Sequence, residues 1–222
     1  MSAGGLTIAV PRGALFDPTV ELLAVLGVET AELRENDRRL LFEQIGVITM
    51  RPSDVPTYVE AGAADIGITG KDVLLEQLPD EPVAGGRAVY ELLDLRYGHC
   101  TMVLAGRDGP DPAAEALRRL GVMRVATKYP RIARRYLERT GRQAEIVEVK
   151  GSVELAPLTG IVDAIVDLTA TGATLRENGL VVREEITTVS ARLIANAVAH
   201  KLKAGAIDDF VARARRAVVA GD

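Results

Sequence analysis

The sequence predicts an α/β protein of two lobes, each built on a mixed, largely parallel sheet flanked by helices. Three observations predict it. Short apolar runs rich in β-branched residues alternate with helical stretches, the pattern that gives right-handed βαβ crossovers. A strand–helix–strand–helix–strand order occurs twice, over residues 6–69 and again over residues 124–167. In both copies the third strand is entered alike, through Gly62-x-x-Asp65 and Gly160-x-x-Asp163, a glycine closing a helix and handing over through a turn.

In the first copy, residues 6–10 (Leu-Thr-Ile-Ala-Val) form a buried strand broken by Pro11-Arg12-Gly13. Asp17 and Pro18 stand in the order of N-cap and first helical residue, predicting a helix over 19–26 that closes at Gly27. A strand over 45–49, a short helix over 54–61 ending at Gly62 and a strand over 65–69 complete the copy. In the second copy the strands are 124–127, 145–149 and 163–167, with helices over 131–139 and 153–158 closing at Gly141 and Gly160. Between the copies, residues 79–86 (Pro-Asp-Glu-Pro-Val-Ala-Gly-Gly) predict a loop. Strands over 89–95 and 100–104, joined by Arg96-Tyr97-Gly98, carry the chain into the second lobe. Residues 181–189 read as extended, and Ser190 as the cap of a helix reaching Lys203. A last helix over 207–219 carries Ile207, Phe210, Val211 and Ala214 on one face, a stripe available to an interface. The expected lobes are 1–93 with 183–222, and 94–182. Facing each other, they would enclose a cleft at the carboxyl ends of their strands, where ligands of such sheets bind.

Composition narrows the chemistry. Of 222 residues, 48% are hydrophobic and 26% charged, which excludes a disordered chain. Lys and Arg number 27 against 31 Asp and Glu, so the net charge of −4 opposes nonspecific nucleic-acid binding. Aromatics at 4% with no Trp leave little for base stacking or a membrane-interface belt. Cys100 has no partner for a disulfide, and with His99 and His200 it cannot complete a structural zinc site. Any metal is therefore expected to be a hard ion such as Mg2+, held mainly by substrate phosphates, with no protein ligand assigned. The first residues lack a basic secretory region and no run reaches the ~20 apolar residues of a membrane span, so a cytoplasmic location is expected.

The most informative segment is Asp163-Ala-Ile-Val-Asp167 followed by Leu168, Thr169, Ala170, Thr171, Gly172, Ala173 and Thr174. A strand ends on an acid and gives way to small and hydroxyl residues at the start of a helical turn. Successive N–H groups there form a concavity for an anion, threonine hydroxyls add donors, and Gly172 permits close approach. The aspartate beside such a cradle is placed to accept hydrogen bonds from ribose hydroxyls. The alternative is a threonine-rich helix cap with no ligand. Gly70-Lys71 is not a P-loop, and no G-x-G-x-x-G follows a strand.

Several further motifs occur in order: Ile8-Ala-Val-Pro-Arg-Gly13, Arg51-Pro-Ser-Asp-Val-Pro56, Asp65-Ile-Gly-Ile-Thr-Gly70 with Asp72, Asp94-Leu95 with Gly98 to Cys100, Ala126-Thr-Lys-Tyr-Pro130, Gly151-Ser-Val-Glu-Leu-Ala-Pro157, and Arg192-Leu-Ile-Ala-Asn196. With the Asp163–Leu175 segment, they make the sequence resemble the ATP phosphoribosyltransferases, from Leu6 to about Phe210. The resemblance implies a periplasmic-binding-protein-like (type II) two-lobed fold. It implies that adenine N1 of ATP attacks C1′ of phosphoribosyl pyrophosphate with loss of pyrophosphate, the first step of histidine biosynthesis. Arg51, Glu154 and Asp167 become the catalytic candidates. Asp167 and Glu154 would address the ribose, and Thr169, Ala170, Thr171, Gly172, Ala173 and Thr174 the 5′-phosphate. Arg12, Gly13 and Arg51 would meet pyrophosphate or ATP phosphates. Arg12 stands where the family usually has lysine, and the two cations bind differently. The length resembles the short form, a homodimer assembling with a regulatory subunit that resembles histidyl-tRNA synthetase. Two alternatives stay open at this point: a non-catalytic solute-binding or sensory module of the same architecture, and a phosphoribosyltransferase with another acceptor.

Overall fold

Two sheets, of six and five strands, organise the chain in a computed structural model that describes residues 5–36, 38–77 and 89–220. The chain divides into a first unit, Met1–Gly98 with Ser190–Asp222, and a second, His99–Val189.

The first unit begins with β1 (Ile8–Pro11), α1 (Phe16–Val25), α2 (Ala31–Glu35), β2 (Leu41–Phe42), β3 (Val47–Met50), α3 (Val55–Glu60), β4 (Ile66–Gly70), α4 (Lys71–Gln77) and β5 (Val89–Asp94). The second holds β6 (Cys100–Arg107), α5 (Pro112–Leu120), β7 (Met123–Thr127), α6 (Pro130–Arg139), β8 (Ala144–Glu148), α7 (Leu155–Leu158), β9 (Ala164–Thr169), α8 (Ala173–Glu177) and β10 (Leu180–Val189). The chain then returns to the first unit as β11 (Ala191–Asn196), α9 (Ala197–Leu202) and α10 (Ala204–Ala220).

The sheet orders are β2-β3-β1-β4-β11-β5 and β10-β6-β9-β7-β8. Each contains three parallel strands, β3-β1-β4 and β8-β7-β9, with an antiparallel pair beside the last. The repeated sequence grammar is therefore a repeated topology. It extends to single hydrogen bonds. Asp65 accepts from the Thr7 N–H at 2.8 Å and returns its own N–H to the Thr7 carbonyl at 2.9 Å. Asp163 does the same with Arg124, at 2.7 and 2.9 Å. In both units a carboxylate at the start of the third strand fastens the first strand's amino end, which sets the register of the parallel pair.

Strand β1 is buried on both faces, with Ile8 and Val10 in one apolar cluster and Ala9 in another. Such strands read as continuous apolar runs. On the Ala9 side, α3 lies so close to β4 that a Cβ on Gly67 would meet Val55 Cγ1 at 2.6 Å, so only glycine fits. The second unit packs Val103, Ala105, Ala126, Ile165, Leu175 and Leu180.

The structure corrects four details. Helix α1 starts at Phe16, after a 3-10 turn over Gly13–Leu15, so Asp17 and Pro18 lie in its first turn. Proline is tolerated there because the first N–H groups of a helix have no intrahelical acceptor. The helix expected after Ser190 is a strand, β11, until Asn196. It is central, nearly all of its residues are buried, and the alternation that betrays a half-exposed strand is missing. Asn196, not Ser190, caps the helix that follows, accepting from Val198 and Ala199 N–H at 2.9 and 2.8 Å. Finally, Ile207, Phe210 and Ala214 are fully buried in the first unit's own core, so that stripe is not free for a partner. The predicted loop over 79–86 lies outside the described residues.

Candidate active site

In the second unit the chain leaves β7, the middle of the three parallel strands, for β8 on one side and returns to β9 on the other. Ligands of such sheets bind beyond the carboxyl ends of the strands at this reversal. Lys128 and the 149–154 loop follow the ends of β7 and β8, and Asp167 lies two residues before the end of β9, which runs on through Leu168 and Thr169 where the sequence reading ends the strand on the acid. The β7 end is fastened to β9: Thr127, fully buried, donates its hydroxyl to the Val166 carbonyl at 2.6 Å and accepts the Tyr129 N–H at 2.9 Å.

Asp167 follows Val166 and is half-buried. Its carboxylate accepts the Leu168 N–H at 2.8 Å and has no partner side chain among the described residues. Burial pushes this carboxyl up to about 6; the Leu168 N–H opposes the rise, the negative charge of Glu154 adds to it, and the Lys128 ammonium opposes it. Asp167, Glu154 and Lys128 thus form one electrostatic group. Glu154 stands at the N-cap of α7, reached through Gly151 and Ser152. Ser152 has φ +49°, a left-handed conformation that costs a non-glycine residue about 1 kcal/mol.

The loop after β9 is accessible, with Ala170, Thr171 and Thr174 exposed. Gly172, at φ +71°, caps α8, and a Cβ there would lie 2.8 Å from Arg176 Nη1. The Gly172 N–H donates to Thr169 Oγ1 at 2.8 Å, and the Ala173 N–H to Thr171 Oγ1 at 3.3 Å. Two of the expected anion donors are therefore occupied by the loop's own threonines. A hydroxyl that accepts keeps its proton, so Thr169 and Thr171 remain donors. The Ala170 and Thr171 N–H groups make no hydrogen bond among the described residues. Arg176 donates to the Thr171 carbonyl at 3.0 Å, bracing the loop.

In the first unit, Arg12 and Arg51 occupy neighbouring strand ends, because the Arg12 N–H prolongs the β1–β3 ladder to the Met50 carbonyl at 2.7 Å. The Arg12 guanidinium donates to the carbonyls of Arg39 at 2.9 Å and Asn36 at 3.4 Å, and lies 4.8 Å from the Phe16 ring centroid. Its Nε is buried without a partner among the described residues. Arg51 is exposed and makes no side-chain bond among the described residues. Gly13 opens the 3-10 turn after β1.

Sequence reasoning groups Asp167 with Glu154 and gives no role to Lys128, which it meets only as a member of the Ala126-Thr-Lys-Tyr-Pro130 motif. It also overlooks an ion-pair network in the first unit, in which Glu91 meets Lys71 Nζ at 2.6 Å and Arg192 Nε at 3.1 Å while Arg192 also pairs with Asp94. Those four residues meet only after β5, β11 and the first turn of α4 assemble, and no local pattern announces them.

The fold is that of the periplasmic-binding-protein-like proteins. The arginine-bound Gly52Ala mutant of ArgBP from Thermotoga maritima superposes with a TM-score of 0.58 over 95% of this chain and 94% of its own, at 13% identity. The ATP phosphoribosyl transferase (HisG:HisZ) complex from Thermotoga maritima contains a closer match, with a TM-score of 0.77 and 33% identity over 98% of this chain and 100% of the other. The family model for ATP phosphoribosyltransferase (HisG) matches residues 51–216. ATP phosphoribosyltransferase of Rubrobacter xylanophilus is 51% identical over 96% of each chain, and that of Pseudomonas aeruginosa 42% identical over 97% of this chain and 98% of its own. The chain belongs to the ATP phosphoribosyltransferase family.

Proposed function

We propose that this chain joins ATP, through adenine N1, to phosphoribosyl pyrophosphate with release of pyrophosphate, giving 1-(5-phosphoribosyl)-ATP, the first step of L-histidine biosynthesis. The observation that carries the proposal is the group near the strand ends of the second unit: the half-buried Asp167 beside Glu154, and, three residues on from Asp167, an exposed loop with free donors, in a chain of this family.

The reaction makes modest demands on proton chemistry, since adenine N1 already offers a lone pair. It requires that the two reactants be held in line and that charge be stabilised at both ends. In this proposal the Ala170 and Thr171 N–H groups and the hydroxyls of Thr169, Thr171 and Thr174 grip the 5′-phosphate, with Gly172 and Ala173 shaping the turn. Asp167 and Glu154 accept hydrogen bonds from the ribose hydroxyls, and their negative charge favours the oxocarbenium character that develops at C1′. Arg51, free of internal partners, meets the departing pyrophosphate or the ATP phosphates. Arg12 and Gly13 lie at the adjoining strand end, where the unsatisfied Arg12 Nε offers one more donor.

Magnesium belongs to this reaction as a charge-neutralising companion of the pyrophosphate. Among the described residues no group of three or more His, Cys, Asp or Glu could hold a metal ion. The cation is assigned to the substrate's phosphates and water, a coordination Mg2+ favours, and no residue of the chain is assigned to it.

We also propose a homodimer that assembles with a regulatory subunit resembling histidyl-tRNA synthetase, on the strength of the near-complete mutual coverage with the HisG:HisZ complex chain. A cytoplasmic location accompanies this reading. No helix among the described residues is long and apolar enough to cross a membrane.

The test incubates the protein with magnesium, phosphoribosyl pyrophosphate and a panel of acceptors, alone and with the candidate regulatory subunit, and identifies products by mass spectrometry. Phosphoribosyl-ATP supports the proposal. A different adduct assigns another acceptor, and binding without turnover with either preparation assigns a solute-binding role.

A further inference from the structure

Lys128 lies one residue beyond the end of β7 in the second unit, and the family resemblance gives it no task. Thr127 pairs with Val166 in the β7–β9 ladder, so the next residues, Lys128 and Asp167, lie level on neighbouring strands. The turn that holds Lys128 is pinned on both sides of its backbone by the buried Thr127 hydroxyl, at 2.6 Å to β9 and 2.9 Å to the Tyr129 N–H. The ammonium lies 5.9 Å from the ring centroid of the largely buried Tyr129. The charged groups acting on Asp167 are Lys128 from β7 and Glu154 from the entry to α7. Opposite Asp167, β6 contributes the uncharged Val103, and on α8 the Arg176 side chain is engaged by the Thr171 carbonyl.

We propose that Lys128 is a positioning residue for the reaction assigned above: held level with Asp167, its ammonium keeps that carboxylate anionic against the like charge of Glu154. This inference rests on the proposed transfer for its kinetic consequence but not for its electrostatic one. A like charge disfavours the ionised form of a carboxyl and a neighbouring cation favours it, and the proposed reaction uses both carboxylates as acceptors of ribose hydroxyls. Lys128 is the basic group at that place.

The experiment compares wild type, Lys128→Met and Lys128→Arg in the full chain with its regulatory subunit. It measures kcat/KM for phosphoribosyl pyrophosphate against pH, and follows carboxyl 13C resonances in the chain alone, with Asp167→Asn assigning the Asp167 signal. Lys128→Met should move both the Asp167 titration and the acid limb of kcat/KM upward by roughly half a pH unit or more, since a nearby charge commonly shifts a carboxyl by that much. Lys128→Arg should restore both. Superposition of the Lys128→Met and wild-type titrations overturns the proposal. So does a loss of activity by one factor at every pH, with no movement of the limb. If wild type makes no phosphoribosyl product, the assigned reaction fails, whereas the carbon titration still decides the role of Lys128.

Discussion

Replacing Asp167 with asparagine should make the protein more stable and less active at once. The wild-type carboxyl is raised from 3.8 to about 6, chiefly by burial. A carboxyl that binds its proton more tightly when folded penalises the folded state once ionised. The penalty is complete above pH 6, shrinks as pH falls through that value, and is gone below the unfolded value near 3.8. An elevation of this size corresponds to at most about 3 kcal/mol, and to roughly 1–3 kcal/mol for a group that retains some solvent. Asparagine keeps an oxygen for the Leu168 N–H and carries no charge, so it removes the penalty at little structural cost.

At pH 7.5, Asp167→Asn should therefore raise the melting temperature by several degrees, given about 2–4 °C per kcal/mol for a chain of this size. Turnover should fall by about 10²-fold or more through loss of the ribose acceptor. Scanning calorimetry from pH 7.5 down to pH 4, paired with product formation at pH 7.5, reads both effects. The gain in melting temperature should shrink as the pH falls below 6. A variant that melts lower than wild type at pH 7.5, losing stability and activity together, would refute the reasoning, because Asp167 would then hold the fold.

Other substitutions separate binding from folding. Arg51→Ala should lower kcat by at least about tenfold while leaving the melting temperature within about 2 °C, since an exposed side chain without internal partners adds little to stability; titration calorimetry with pyrophosphate checks the lost contact. Gly172→Ala forces a Cβ against Arg176 Nη1 at φ +71°, and should weaken phosphoribosyl pyrophosphate binding more than tenfold at a folding cost of about 1 kcal/mol. Asn196→Ala removes the cap of α9 and leaves the Val59 and Glu60 carbonyls, bonded at 2.8 and 3.2 Å, without their donor. Together these should cost about 2–4 kcal/mol in denaturant unfolding while the substrate affinity of the folded fraction stays unchanged.

Much of the fold can be read locally because its punctuation is local. Gly62, Gly141 and Gly160 sit at positive φ where helices close, and the aspartates three residues after two of them make the bonds that tie each parallel trio. What escapes local reading are the elements whose conformation is imposed from outside. Residues 191–196 have the composition of a helix, yet β4 and β5 claim their backbone groups from both sides. A central strand buried on both faces shows no alternation by which a single sequence could betray it. Helix α10 is read correctly as amphipathic, but the pattern says only that one face is covered, not that the cover is the unit's own core.

The candidate site divides along the same physical line. Its acceptors and turn formers are contiguous, from Asp167 to Thr174, so their chemistry is visible in one dimension. The charge state of Asp167 is a property of three segments brought together, with Glu154 arriving from the entry to α7 and Lys128 from just past the end of β7. A carboxylate close to the end of a strand in a sheet of this order can be recognised from sequence as a ligand acceptor. Whether it is ionised when substrate arrives depends on the balance between burial, a like charge and one ammonium. For that reason the decisive experiments on this site are titrations, which measure the balance directly, whereas a loss of turnover alone would not tell a missing acceptor from a protonated one.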